Sequence, residues 1–184
     1  MPELTAPAAR LHAAWLEAHA EWGPGLHEDG FGLRSGDAVD TLAGFAAWVE
    51  RLTAQSDTAR PAEPGRVHCT YRWITEDGQV LGAIALRHEF SDFVRRAGHI
   101  GYGIRPSARR RGLATWALGQ MLGEARSLGL DRVLLVCEAA NIASAKTIEH
   151  HGGILEEVLV ETGRGAVRRY WIMLLGQHRS SSTR

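Results

Sequence analysis

A strand-like segment runs into a turn of arginines and a glycine, and that turn opens a helix. No other stretch restricts the fold of the chain as strongly. The strand reads His99-Ile100-Gly101-Tyr102-Gly103-Ile104 and is stopped by Arg105-Pro106. The turn is Arg109-Arg110-Arg111-Gly112. Beyond it Leu113, Ala117, Leu118, Met121, Leu122, Ala125 and Leu128 recur at helical spacing. A glycine there lets a ligand approach the backbone closely. The helix start behind it presents several converging N–H groups and roughly half a positive charge. The segment Arg109, Arg110, Arg111, Gly112, Leu113, Ala114, Thr115 is therefore expected to hold a phosphate or pyrophosphate.

The flanking sequence supplies the rest of the fold. Helices are predicted over 8–20 and 38–55, the second capped by Ser35 or Asp37. The glycine-rich segment 21–36 between them reads as a loop that shapes a pocket, with Trp22 in it. Strands over 67–74 and 80–86 are joined by Glu76-Asp77-Gly78, a hairpin signal, and 88–97 reads as a mixed loop. A continuously apolar strand over 132–137 implies a central position, and a helix over 141–151 follows it. A final hairpin joins 154–160 to 167–174, and 176–184 reads as a flexible tail. The order predicts a mixed α/β (α+β) fold on a largely antiparallel sheet.

A chain of 184 residues with 45% hydrophobic content fits a single domain over 1–184, with its core in 67–174. Basic and acidic residues number 21 each, so no excess positive charge favours nucleic acid as a partner. No apolar run is long enough to span a membrane and the first residues lack a signal-peptide pattern, so a cytoplasmic protein is expected. Cys69 and Cys137 read as buried free thiols. His150 and His151, neighbours on a helix, point about 100° apart and predict no metal site. Trp15, Trp48 and Trp73 read as core residues.

Arg109, Gly112 and Ala114 after the strand ending in Arg105-Pro106, with Asn141 and Ser144 opening the later helix, resemble the GNAT superfamily of acetyl-CoA-dependent N-acetyltransferases. The resemblance covers roughly 67–174. Over 99–153 it is especially similar to a group of bacterial predicted acetyltransferases. It implies a central sheet whose strands at 99–104 and 132–137 splay apart around acetyl-CoA. The pyrophosphate would lie on the amides of Arg111 to Ala114, with one or two of the arginine side chains on the nucleotide. The pantetheine arm would run against Gly103, Ile104 and Arg105 and meet Asn141 and Ser144. A main-chain N–H near Ile104 would face the thioester oxygen.

The implied reaction is acetyl transfer to a primary amine of a small molecule or amino acid. Such an amine is neutral in only about one molecule in 2,500 at pH 7, so a base is useful. Glu138, ending the central strand, and His99, beginning the facing one, are level candidates, with Tyr102 as a relay. Many family members carry a tyrosine acid where this sequence has Ile148, which leaves Ser144, a nearby tyrosine or water for that role. The missing tyrosine also admits a non-catalytic acyl-CoA-binding or regulatory module on the same fold. The resemblance leaves a homodimer open.

Overall fold

A computed structural model of the protein describes residues 1–23, 29–161 and 165–174. The elements are β1 (Glu3–Thr5), α1 (His12–Trp22), α2 (Leu42–Ser56), β2 (Cys69–Glu76), β3 (Gln79–Arg87), α3 (Asp92–Ala97) and β4 (Ile100–Ile104). They are followed by α4 (Leu113–Ser127), β5 (Arg132–Glu138), α5 (Ile142–His150), β6 (Ile154–Glu161) and β7 (Gly165–Met173). The expected flexible tail, 176–184, lies outside the described residues, as do 24–28 of the pocket-shaping loop and 162–164 of the last turn.

Alternation along β2 and β3 gives each face of the sheet its own core. Trp73 and Ala83 point to the side covered by α1 and α2, where Trp15, Phe31, Phe45 and Trp48 are fully buried around them. Ile74, Ile84 and Leu86 point to the opposite side, against Leu118, Met121 and Leu122 of α4 and Ile148 of α5. Asp77 and Gly78 both take positive φ, 50° and 79°, which matches the twist of the β2–β3 hairpin. No helix among the described residues is long and apolar enough to cross a membrane.

Two short elements go beyond the expected order. β1 pairs with β2, Leu4 opposite Ile74. The stretch expected as a mixed loop contains α3, capped by Ser91 Oγ, which accepts the Val94 N–H at 3.2 Å. The cap of α2 is Thr41, not Ser35 or Asp37: Thr41 Oγ1 accepts the Gly44 N–H at 3.1 Å. Asp37 is held instead by Arg51 at 2.5 Å and by the Arg34 N–H at 2.7 Å.

All strand pairs within the two sheets are antiparallel, in the orders β1-β2-β3-β4 and β5-β7-β6. Among the described residues the sheets meet at a single bridge, Gly98 with Leu135. There the His99 N–H donates to the Leu134 carbonyl at 2.7 Å. Beyond that point the two sheets separate, and α4 and α5 flank the opening.

Candidate functional site

The opening between β4 and β5 is a cavity of about 560 Å³. One wall is Tyr102, Gly103 and Ile104 of β4. The floor is the turn and first helical residues, Arg109, Arg110, Gly112, Leu113, Ala114 and Thr115. The far wall comes from Asn141, Ser144 and Thr147.

The turn is shaped to leave its peptides uncommitted. Arg110 and Gly112 both take left-handed conformations, φ 64° and 75°, and Gly112 caps α4 with no side chain over the helix start. Alternating left-handed residues curl successive N–H groups around one point, and the first turn of α4 has no intrahelical acceptors for its own donors. An added Cβ at Gly112 would meet nothing within 4 Å, so the space above these donors is open. A pair of phosphates fits this cradle in size and charge.

β4 contributes backbone to the same cavity. Its ladder to β3 uses alternate residues: the Arg87 N–H donates to His99 O at 2.8 Å and the Arg105 N–H to Leu81 O at 2.8 Å. The phase of two therefore turns the N–H and C=O of Tyr102 and Ile104 away from β3 and into the opening. The Ile104 carbonyl accepts from Arg109 Nε at 3.1 Å.

Tyr102 spans the cleft. Its hydroxyl lies 2.8 Å from Ser144 Oγ across the opening. Burial, the largest cause, pushes the phenol up to about 12, only partly offset by the Ser144 hydrogen bond, so it stays protonated at neutral pH. Asn141 Oδ1 caps α5 by accepting the Ser144 N–H at 3.0 Å, which fixes the loop entering that helix.

Four expected site residues stand elsewhere. His99 is 3% exposed, packed near Phe90 and Trp171, and its Nδ1 accepts the Leu134 N–H at 2.9 Å. It plugs the end of the inter-sheet pairing and does not line the cavity. Burial, with Arg87 and Arg132 nearby, lowers its pKa to about 4. Glu138 is exposed at the end of β5, outside the cavity lining. Arg105 is 5% exposed and turns toward α1. Its Nε donates to Glu21 at 3.0 Å, and it pairs with Glu17 at 3.0 Å. Glu21 also accepts the Ser107 N–H at 3.0 Å. These bonds, Arg105 foremost, hold Glu21 down to about 2. Arg105 thus braces the turn before the cradle. The Arg111 side chain is drawn to Glu76 at 2.5 Å, and Arg111 is not among the residues lining the cavity.

Asp29, Ala143 and Thr147 line the cavity beyond the expected site residues, and Trp22, expected in the pocket-shaping loop, lines it too. Trp22 sits at the end of α1, its ring 5.7 Å from Phe31.

The buried His99 has a consequence for acid stability. Its imidazole titrates near 6.5 when unfolded and near 4 when folded, so between these values the unfolded chain holds a proton that the native chain refuses. Stability is expected to fall as pH drops from about 6.5 to about 4, by on the order of 3 kcal/mol, and this loss is complete below that window. Urea unfolding midpoints across that range measure it. His99→Asn should flatten the slope, and an unchanged slope in that variant contradicts the assignment.

Comparison with known proteins bears on the fold and the family. Residues 33–154 match the family model described as an acetyltransferase (GNAT) domain. No curated protein sequence matches the chain. Among solved structures, the chain is similar to yncA, a putative acetyltransferase from Salmonella typhimurium with its cofactor acetyl-CoA. Identity is 17%, 99% of each chain is covered and the TM-score is 0.60. A Salmonella typhimurium acetyltransferase that modifies the N-terminal serine of ribosomal protein L7/L12 is 16% identical, with 94% of each chain covered and a TM-score of 0.66. RimJ of Mycobacterium smegmatis in complex with CoA-disulfide is 20% identical over 94% of this chain and 81% of that one, with a TM-score of 0.66.

Proposed function

The chain belongs to the GNAT acetyltransferase family, and we propose that it transfers the acetyl group of acetyl-CoA to a primary amine by direct attack on the thioester. The observation that carries this reading is the open cradle at residues 110–115, placed at one end of a cleft whose wall carries inward-facing peptides of β4.

Bound acetyl-CoA supplies an activated acyl group on a thiol leaving group. The amides of Arg111, Gly112, Leu113, Ala114 and Thr115 hold its diphosphate, and Arg109 and Arg110 add positive charge beside them. Asn141 and the inward N–H and C=O groups of Tyr102 and Ile104 align the arm between the walls. The Ile104 N–H points to the carbonyl oxygen, where negative charge develops as the amine attacks. The Tyr102 hydroxyl, steered by Ser144, donates to the departing sulfur and takes the role that Ile148, buried in the core, cannot fill. Asp29, which lines the cleft, meets the incoming ammonium and receives its proton.

Incubation with acetyl-CoA and a panel of amines, followed by free thiol, tests the proposal. Amine-dependent thiol release is the expected result. Tight binding of acetyl-CoA with no release across a broad panel contradicts it and favours a binding or regulatory module.

A further inference from the structure

A second cavity of about 450 Å³ adjoins the first, and Asp29 lines both. From the sheet its lining takes Cys69 and Tyr71 of β2 and Arg87 of β3. Tyr71, Ala85 and Gly101 lie side by side on β2, β3 and β4, and Trp73, Ala83 and Gly103 form the next row. Gly103 has no room for a side chain, since an added Cβ would stand 2.9 Å from the Asp29 carbonyl. Gly30 is equally tight, 2.6 Å from the Ala83 carbonyl. The segment 29–32 therefore lies directly on the sheet and forms the seam between the two cavities.

The chemistry of the second cavity differs from that of the first. Tyr71, Phe93, Leu33 and Val67 give it an apolar lining, and three guanidiniums enter it, from Arg34, Arg66 and Arg87. Arg34 is neutralised by Glu63 at 2.9 Å. Among the described residues neither Arg66 nor Arg87 makes an ion pair with a carboxylate. Arg87 is held over the Phe93 ring, 4.9 Å from its centroid, and anchored by one NH1 bond to Gly98 O at 3.0 Å. Its remaining donors stay in a fixed orientation. Arg66 stands at the exposed rim.

Resting on the acetyltransferase reading above, we infer that this second cavity is the acceptor pocket and that it selects amines carrying an oxyanion, a carboxylate or a phosphate, at the end remote from the amine. The amine lies at the Asp29 seam, facing the thioester. The apolar body lies between Tyr71 and Phe93, and the oxyanion lies between Arg66 and Arg87. A guanidinium fork matches the two oxygens of either anion.

Matched pairs of amines test the inference on the full chain. Phenylalanine is compared with phenylalanine amide, and phosphoethanolamine with ethanolamine, by thiol release with acetyl-CoA and by calorimetric binding. The amide's amine is the less basic, hence the more available as a neutral nucleophile, so a preference for the acid runs against intrinsic reactivity. The expected result is a preference of about tenfold or more for the anionic member of at least one pair. The arm that responds separates carboxylate from phosphate. Arg66→Glu should bring that ratio close to one, while Arg66→Lys keeps part of it. An equal or greater rate for the neutral amines overturns the inference, as does an unchanged ratio in Arg66→Glu. Turnover restricted to peptides with free N-termini overturns it in favour of a protein acceptor. Anion binding that depends on Arg66 without any thiol release upholds the pocket and defeats the transfer reading, so the two fail separately.

Discussion

Gly112→Glu is expected to raise the dissociation constant for acetyl-CoA by at least about a hundredfold, equivalent to roughly 2.7 kcal/mol, while the protein stays folded. Gly112 is left-handed, φ 75°, and nothing lies within 4 Å of where its Cβ would be. The substitution therefore costs about 1 kcal/mol of backbone strain without a steric clash inside the fold. A carboxylate near a helix N-terminus is favourable to the free protein, which offsets part of that strain. The same carboxylate sits where the diphosphate belongs, so it excludes the ligand by charge and by bulk. Gly112→Ala separates the two, since it carries the strain alone and should weaken binding far less. Calorimetric titration with a thermal melt on the same samples decides the matter. An affinity within about threefold of wild type would remove the cradle from the site.

Tyr102→Phe should lower kcat by roughly ten- to a hundredfold and leave acetyl-CoA affinity nearly unchanged. This lies below the usual hundred- to ten-thousandfold contribution of a proton donor because a thiol leaving group, with a pKa near 8.5, departs with less assistance than an alkoxide or amine. The hydroxyl is half-buried, protonated through neutral pH and aimed by Ser144 Oγ at 2.8 Å. Removing it withdraws a donor from the leaving sulfur without touching the diphosphate cradle. Ser144→Ala, which frees the tyrosine to rotate, should reproduce part of the loss. Saturation kinetics at fixed pH, with the acceptor amine held well above its KM, separates kcat from binding. An unchanged kcat in Tyr102→Phe would assign the proton to water.

Much of the architecture was legible in the sequence because the elements that carry it are long and periodic. α4 has one apolar face for four turns, and the apolar run of β5 announced a buried strand, although β5 ends the order β5-β7-β6 of its own sheet. The two missed elements are too short to show a period: β1 has three residues and α3 six. The cap of α2 was misplaced because Ser35, Asp37 and Thr41 are all good caps, and only the Arg51 partner of Asp37 decides among them.

The cradle was legible for a local reason: a glycine turn and a helix start lie next to each other in sequence. The proton-transfer groups were not, because their environment is set by distant residues. His99 begins a strand beside the opening, as expected, yet its ring nitrogen serves the Leu134 N–H and its side chain faces away from the cavity. Arg105 belongs to the strand end that was expected to meet the pantetheine. Its partners Glu17 and Glu21 lie on a helix more than eighty residues earlier, and they remove its side chain from the site. Arg111 was taken up by Glu76 in the same way. Asp29 falls within the loop expected to shape the pocket, but nothing local marks it out from its neighbours. The close contact of its backbone with Gly103 does so, and that contact joins residues 74 positions apart.

In a crystal structure with acetyl-CoA bound, diphosphate oxygens are expected about 3 Å from the main-chain nitrogens of residues 111–115, and the thioester carbonyl turned toward the Ile104 N–H, with the sulfur near the Tyr102 hydroxyl. A cofactor lying elsewhere, with those nitrogens bonded to water or to protein groups, would contradict this placement.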